Sequence, residues 1–530
     1  MQKKGKLELT WVGKYDEKEI EPRILVEDKS KSYGDPDSEN MLIHGDNLIA
    51  LKALEQDYAG KIKCIYIDPP YNTGSAFEHY DDNLEHSIWL NLMYQRLQLL
   101  RELLSDDGVI AIECDKNEDA YLKIVCDEIF GRINFINSVT IQSSTPSGTK
   151  LAHRDKTILK TKDTLLIYKK ESEIKIKPQY IPTDSLTNFN YWLEENNGFY
   201  EIKNLKDVLL EKGVIKKGKS IDDYKMSADK DFEKFIIANK DKIFRKQPSM
   251  PDDIKEKSRQ NPEEIIEYED EQGRHFLAQN GYRFAFLSSG VRLYNGEEKV
   301  TQLLCDIWTD ISFHGTQYEG IVSFPAGKKP EALIQRVFDM FSEEGDYVLD
   351  SFLGSGTTAA VAHKMGRKWI GIELGEHAYT HCKVRMDKVI DGEQGGISKA
   401  VNWQGGGGYK FYELAPSLLV PNPKLPTIKQ INPEYTFEMM CEAICKLEGF
   451  KYKPDGKFHG KSSEQRFIHI TKEFVNGEYI NSLLANLGEG QSLLVYGMKI
   501  QSGLRLPENI IVKKIPKDLL DKCTFESEVR

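Results

Sequence analysis

Apolar residues along this chain switch between two spacings, and the switching predicts the architecture. Met41 to Gly45 is a short apolar run ending at Asp46-Asn47, and Leu48 to Leu54 then reads as a helix. Lys61-Ile62-Lys63-Cys64-Ile65-Tyr66-Ile67 is β-branched and apolar, as a strand covered on both faces should be. It runs into Asp68-Pro69-Pro70-Tyr71, whose prolines must end it. Ile88, Leu92, Leu97, Leu100 and Leu104 recur at helical steps up to Asp106-Asp107-Gly108, and Val109 to Glu113 follows as a strand. Strands alternating with helices predict a doubly wound, mostly parallel α/β sheet.

After Leu165-Leu166-Ile167-Tyr168 the pattern loosens, and residues 170–310 read as a polar, irregular inserted domain. Regular α/β pattern returns with a helix from Pro330 to Phe341, strand Tyr347 to Asp350, a Gly-rich turn, a helix and strand Lys368 to Glu373. One sheet domain over 41–169 and 311–415 is therefore expected, preceded by an extension, 1–40. Gly405 to Gly408 reads as a loop. Beyond about Pro421, helix Phe437 to Leu447 and strands Phe467 to Ile470 and Leu493 to Tyr496 predict a small separate α/β domain over 421–530.

Composition narrows the class. The 530 residues are 40% hydrophobic and 29% charged, enough for a large core and several domains. No apolar stretch approaches the ~18 residues of a membrane span and no signal pattern leads the chain, so a cytoplasmic protein is expected. The eight cysteines are scattered as buried thiols would be. Cys441 and Cys445 form a close pair without a second pair at zinc-ligand spacing, so no metal site is expected. A net charge of -11 excludes a surface generally suited to nucleic acid. Contact with DNA would need a local patch, and Lys169-Lys170, Lys175, Lys177, Lys216-Lys217, Lys219, Arg245-Lys246, Lys255, Lys257 and Arg259 supply one within 150–259.

Candidate chemistry lies at two strand ends. Asp350-Ser351-Phe352-Leu353-Gly354-Ser355-Gly356-Thr357-Thr358 joins a strand to a helix, and its glycines let backbone approach a ligand at the sheet's carboxyl edge. The spacing departs from G-x-G-x-x-G because Ala359 occupies the last position, and no P-loop lysine follows the turn, so a dinucleotide is not the first choice. Glu373, at the next strand's end, suits the ribose hydroxyls of an adenosine cofactor. The P-loop string Gly213 to Ser220 is rejected, because a helix end rather than a buried strand precedes it. At the other end, Asp68-Pro69-Pro70-Tyr71 stiffens the backbone and turns a carboxylate and an aromatic ring toward one crevice.

With both motifs in hand, the chain resembles the amino-group DNA methyltransferases, which combine a D/N/S-P-P-Y loop with an F-x-G-x-G loop, here Phe352 to Gly356. The catalytic motif precedes the cofactor motif, as in the family's β arrangement. Asp68 to Ser75, Gly45-Asp46-Asn47, Phe324-Pro325 and Gly327-Lys328-Lys329-Pro330 are similar to the modification subunit of type III restriction-modification systems. That resemblance covers roughly residues 6 to 415.

The resemblance implies a Rossmann-like methyltransferase sheet, a target-recognition domain at 170–310, and S-adenosylmethionine as methyl donor. Asp68 and the Pro69 carbonyl would accept hydrogen bonds from an adenine amino group, drawing its lone pair out of conjugation, with Pro70 completing the rigid loop. Tyr71 would stack on the base, flipped from double-stranded DNA. Asp46 would bind the cofactor's adenine, Glu373 its ribose, Lys328-Lys329-Pro330 its methionine end, and Asp350, Phe352, Gly354, Gly356 and Thr357 would line its crevice. Implied partners are a second copy of the chain and an ATP-dependent helicase-nuclease restriction subunit, docked on the domain after Pro421.

Cytosine N4 is the alternative target, because the same geometry serves it. Cytosine C5 is disfavoured, since that chemistry needs a cysteine thiolate, usually in a Pro-Cys pair, and no cysteine follows a proline. Glutamine and ribosomal RNA methyltransferases share the proline pair, but the insert suits target recognition better. A solitary methyltransferase and a mainly DNA-specificity subunit remain the other readings.

Overall fold

The computed structural model describes residues 8–16, 20–72, 85–146, 151, 154–196, 198–294, 296–324, 327–520 and 522. They form two compact units, one comprising residues up to Lys177 and from Asp306 onward, the other Pro178–Cys305.

The first unit is built on a large sheet. Its strands are β1 (Leu25–Glu27), β2 (Met41–His44), β3 (Ile62–Ile67), β4 (Leu104–Cys114), β5 (Phe135–Gln142), β6 (Lys162–Lys169), β7 (Ile307–Trp308), β8 (Tyr347–Asp350), β9 (Lys368–Glu373) and β10 (Gly408–Leu414). They lie in the order β1-β10-β2-β9-β8-β3-β4-β6-β5-β7, and Tyr33–Gly34 adds a short pairing on β10. The run β10-β2-β9-β8-β3-β4 is parallel throughout, while β1 and β6 pair antiparallel with their neighbours β10 and β4.

Burial alternates as a sheet covered on both sides requires. Ile43, Ile65, Ile67, Ile110, Ile112 and Ile372 pack with α1 (Asn47–Tyr58) and α2 (His86–Leu103) in one core. The intervening Leu42, Cys64, Tyr66 and Ala111 are buried on the opposite face. Helices α3 (Glu331–Phe341) and α4 (Thr357–Lys364) pack against each other and against β3, β8 and β9. The fold is thus a doubly wound, parallel-rich α/β sheet.

Two local features depart from expectation. Asp106-Asp107-Gly108 lies inside β4, which begins directly after α2, and not in a turn before it. A side chain at Gly108 would meet the Ser105 and Ile62 carbonyls at 2.8 and 2.9 Å, where the register of β3 against β4 shifts. Gly408 opens β10, so the glycine run is a loop only as far as Gly407.

Pro178–Cys305 is ordered rather than irregular. A six-stranded antiparallel sheet runs Phe199–Asn204, Tyr191–Asn196, Ile243–Gln247, Tyr282–Phe286, His275–Gln279, Ile266–Glu269, and a three-stranded sheet contains Val291–Tyr294, Glu297–Leu303 and Tyr180–Pro182. Lys170, expected at the start of the insert, is buried in the first unit and donates to the Leu104 carbonyl. The P-loop string lies between helix Leu205–Glu211 and a single turn at Ile221–Asp223, which gives it no strand and no receiving helix.

The segment after Pro421 carries a five-stranded sheet, Lys451–Asp455, Phe458–Ser463, Arg466–Val475, Ser492–Ile500 and Ile510–Lys514. It belongs to the first unit, and its core joins Cys441, Ile444 and Cys445 to Ile24, Ala415, Leu418 and Leu419. Burial pushes the Cys441 thiol up to about 12, leaving it inert. No helix among the described residues is long and apolar enough to cross a membrane, and no group of three or more His, Cys, Asp or Glu is arranged to hold a metal ion.

Candidate active site

Parallel pairing brings the carboxyl ends of neighbouring strands to one edge of the sheet. Ile67 of β3 lies opposite Ile112 of β4, His44 of β2 opposite Glu373 of β9, and Asp350 of β8 opposite Gly371. Asp46, Asp68, Glu113, Asp350 and Glu373 therefore gather along that edge, although 327 residues of chain separate the first from the last by their numbers, 46 and 373.

On the cofactor-motif side the carboxylates organise backbone. Asp350 accepts from the Phe352 amide at 2.8 Å and from the Thr358 hydroxyl. Burial pushes its carboxyl up to about 7 against those two bonds, with Asp68 and Glu373 adding repulsion. Glu373 accepts from the Gly354 amide at 2.7 Å and the Gly375 amide at 3.1 Å, so it shapes the glycine turn itself. Gly354 and Gly356 sit at φ +55° and +81°, conformations that side chains resist. Ser351 Oγ, in the same turn, is buried with no hydrogen-bond partner. Phe352 is partly buried against the main core.

Asp46 caps α1 by accepting from the Leu48 and Ile49 amides at 2.9 and 3.2 Å, and its other oxygen lies 3.1 Å from Arg96. Thr357 accepts from buried Arg385 at 2.7 Å and donates to the Lys329 carbonyl at 3.3 Å. Pro330 starts α3 with an extended backbone. Lys328 turns away from the strand ends, donating to the Glu319 and Val322 carbonyls.

On the catalytic-motif side the side chains converge. Trp89 Nε1 donates to the Pro70 carbonyl at 2.8 Å, tying the proline loop to α2. Tyr71 donates to Glu113 at 3.1 Å, and Tyr66 donates to the other Glu113 oxygen. Lys329 Nζ lies 2.7 Å from Glu113 and 3.1 Å from Asp68, and also donates to the Tyr71 hydroxyl. Asp68 Oδ1 is buried and accepts no hydrogen bond of adequate geometry, even from that lysine. Burial raises the Asp68 carboxyl to about 6, with Lys329 opposing and Glu113 reinforcing the rise. Thr73 to Ser75 and Pro325 lie outside the described residues.

A family model described as DNA methylase matches residues 62–383. This chain belongs to the N6/N4 DNA methylase family. Over 422 residues it is 40% identical to the "Probable type III restriction-modification enzyme HindVI Mod subunit" of Haemophilus influenzae, covering 74% of this chain and 56% of that protein. It is 38% identical over 149 residues to the StyLTI Mod subunit of Salmonella typhimurium, covering 23% of this chain and 22% of that protein. The chain thus spans about half, or less, of the length of these relatives. The solved structure of PvuII DNA methyltransferase (cytosine-N4-specific) aligns over 69% of this chain and 95% of that one, at 12% identity and a TM-score of 0.35.

In this methylase-family chain, two groups of site residues escape motif reading. Glu113 is fully buried and holds Tyr66, Tyr71 and Lys329 together. Its signal was a lone acid closing an apolar strand, parallel to the strand that ends at Asp68. Under the glycine turn, Glu331 pairs with Arg385 at 2.7 Å and Lys364 at 2.9 Å, all three side chains excluded from solvent. These three are distant in sequence and carry no common pattern.

Proposed function

We propose that this chain is an S-adenosylmethionine-dependent DNA adenine-N6 methyltransferase acting as the modification and recognition subunit of a type III restriction-modification system. The observation that carries the reading is Asp68 Oδ1, a buried carboxylate oxygen whose ion-pair contact with Lys329 at 3.1 Å lies outside hydrogen-bond geometry, at the end of the strand adjacent to the glycine turn. Such an atom is suited to receive an amino hydrogen, and the rigid proline loop fixes where it points. Aspartate at the first motif position and similarity to type III Mod subunits favour adenine over cytosine.

The turn fits an adenosine cofactor. Left-handed Gly354 and Gly356 leave room for close approach, and Ser351 Oγ has a hydrogen bond to give. Asp46, Glu373, Phe352 and Thr357 would hold S-adenosylmethionine, which supplies an electrophilic methyl group. Asp68 draws the amino lone pair out of conjugation and is the base within reach of the proton that the nitrogen sheds. Tyr71 supplies the aromatic wall for a flipped base.

Pro178–Cys305 is our candidate for target recognition. Its Arg245 and Arg283 lie over the rings of Phe189 and Phe276 at 5.2 and 4.9 Å, Arg283 also donating to Gln247 at 3.0 Å, and these two cations are the candidates for contacting bases or phosphates. The segment after Pro421 is the candidate docking surface for a restriction subunit, and a second copy of the chain is the expected partner. The test is Asp68→Ala: methyl transfer to DNA should fall by at least about 10³-fold, while S-adenosylmethionine binding stays within about twofold. Retained transfer removes Asp68 from the mechanism.

A further inference from the structure

Lys329 follows a lysine of identical sequence character, yet the two meet opposite environments. Lys328 binds backbone carbonyls. Lys329 enters the catalytic cluster with its side chain 13% exposed, shared between Asp68 at 3.1 Å and Glu113 at 2.7 Å. A fully buried glutamate is costly unless it is paired and hydrogen-bonded. Glu113 meets that requirement through Lys329, Tyr66 and Tyr71, and in doing so fixes the ammonium beside Asp68.

We propose that Lys329, anchored by Glu113, is the positioning residue that keeps Asp68 ionised for the incoming amino group, and is not a ligand of the cofactor's methionine end. This rests on Asp68 being the amino-group acceptor. A protonated Asp68 keeps an acceptor oxygen but loses the negative charge that strengthens its hydrogen bond, and it cannot take the departing proton. The groups facing it are Lys329 from the turn before α3, Glu113 from β4, Tyr66 and Tyr71 from β3 and its extension, and Asp350 from β8; Asp163 of β6 acts on Lys329 and Tyr71, and Lys160, over the Tyr71 ring at 5.3 Å, pairs with Asp163. Among them Lys329 is the cation in contact with Asp68. Burial is the largest influence on Asp68, raising its carboxyl to about 6 even with the lysine in place. Without the lysine the carboxyl should protonate at higher pH still.

The shared geometry predicts opposite responses. Lys329→Gln removes the cation, so the acid limb of the kcat profile should rise by about one unit or more, with transfer at pH 7 down at least tenfold. Glu113→Gln removes a like charge and leaves Lys329 to Asp68 alone, so the limb should fall. Lys329→Arg keeps the charge and should hold the limb near its original position. The experiment measures tritium transfer from S-adenosylmethionine to mixed-sequence duplex DNA between pH 5 and 9 with the full chain, and cofactor dissociation constants by calorimetry. Lys329→Gln should leave the cofactor constant within about twofold. An unmoved limb with weakened cofactor binding overturns the proposal and returns Lys329 to the methionine end. Should Lys329→Gln fail to fold, Lys329→Met removes the same cation and decides in its place, and a limb that stays or falls overturns the proposal. Asp68→Ala, which removes the acceptor altogether, separates the two levels: if it retains transfer, the amino-acceptor reading itself fails. If it is inactive while the limb stays unmoved in Lys329→Gln, only the lysine's role fails.

Discussion

Asp350 illustrates how one side chain serves the site at a cost to the fold. Its two hydrogen bonds shape the glycine turn, but burial holds its carboxyl near 7, above the ordinary value of 3.8. The folded state therefore keeps a proton that the unfolded chain has released, so this stabilising contribution is complete below about pH 4 and is lost as pH rises through about 7. Asp350→Asn should flatten the decline of melting temperature between pH 4 and 8. An unchanged slope would show that Asp350 does not titrate there. The placing of Asp68, Tyr71 and Glu373 at the carboxyl ends of neighbouring strands was legible because each closes an apolar strand or sits in a rigid motif. Lys329 was legible as a candidate but its contacts with Asp68 and Glu113 were not, because adjacent lysines look alike until the backbone turns one inward.

At the scale of elements, the glycine turn and the ion cluster beneath it act together. Gly356 needs φ +81°, and a side chain there would approach Cys382 Cα at 3.2 Å. Gly356→Ala should cost about 1–2 kcal/mol in chemical denaturation and weaken S-adenosylmethionine binding, whereas a variant of wild-type stability and affinity would contradict the tight turn. Arg385→Met removes one cation from fully buried Glu331 and should cost about 3–5 kcal/mol, read by the same denaturation. Strands ending in an acid or a proline were recognisable by composition. β10 was hidden because its first residue is the last of four glycines, and the hairpin strands of Pro178–Cys305 because their outward residues are charged. Asp106-Asp107-Gly108 looked like a turn since those residues favour turns, but pairing with β3 starts at Leu104 and resumes at Val109 beyond a register shift, so the three residues form a bulge within the strand.

Across the whole molecule, the division of labour proposed here assigns chemistry to the sheet unit and target reading to Pro178–Cys305. The net charge of -11 means that DNA affinity must come from local cations. Replacing Arg245 and Arg283 by glutamine should weaken duplex binding at least tenfold and leave cofactor binding unchanged, checked by fluorescence anisotropy at several salt concentrations. Undiminished binding would move the interface elsewhere. The central claim is tested most directly by incubating the purified chain with labelled S-adenosylmethionine and mixed-sequence duplex DNA, then digesting the DNA and identifying the labelled nucleoside. The account predicts N6-methyladenosine in its deoxy form, confined to one sequence context and absent with Asp68→Ala; label in N4-methylcytosine, or none with cofactor and DNA both bound, would contradict it.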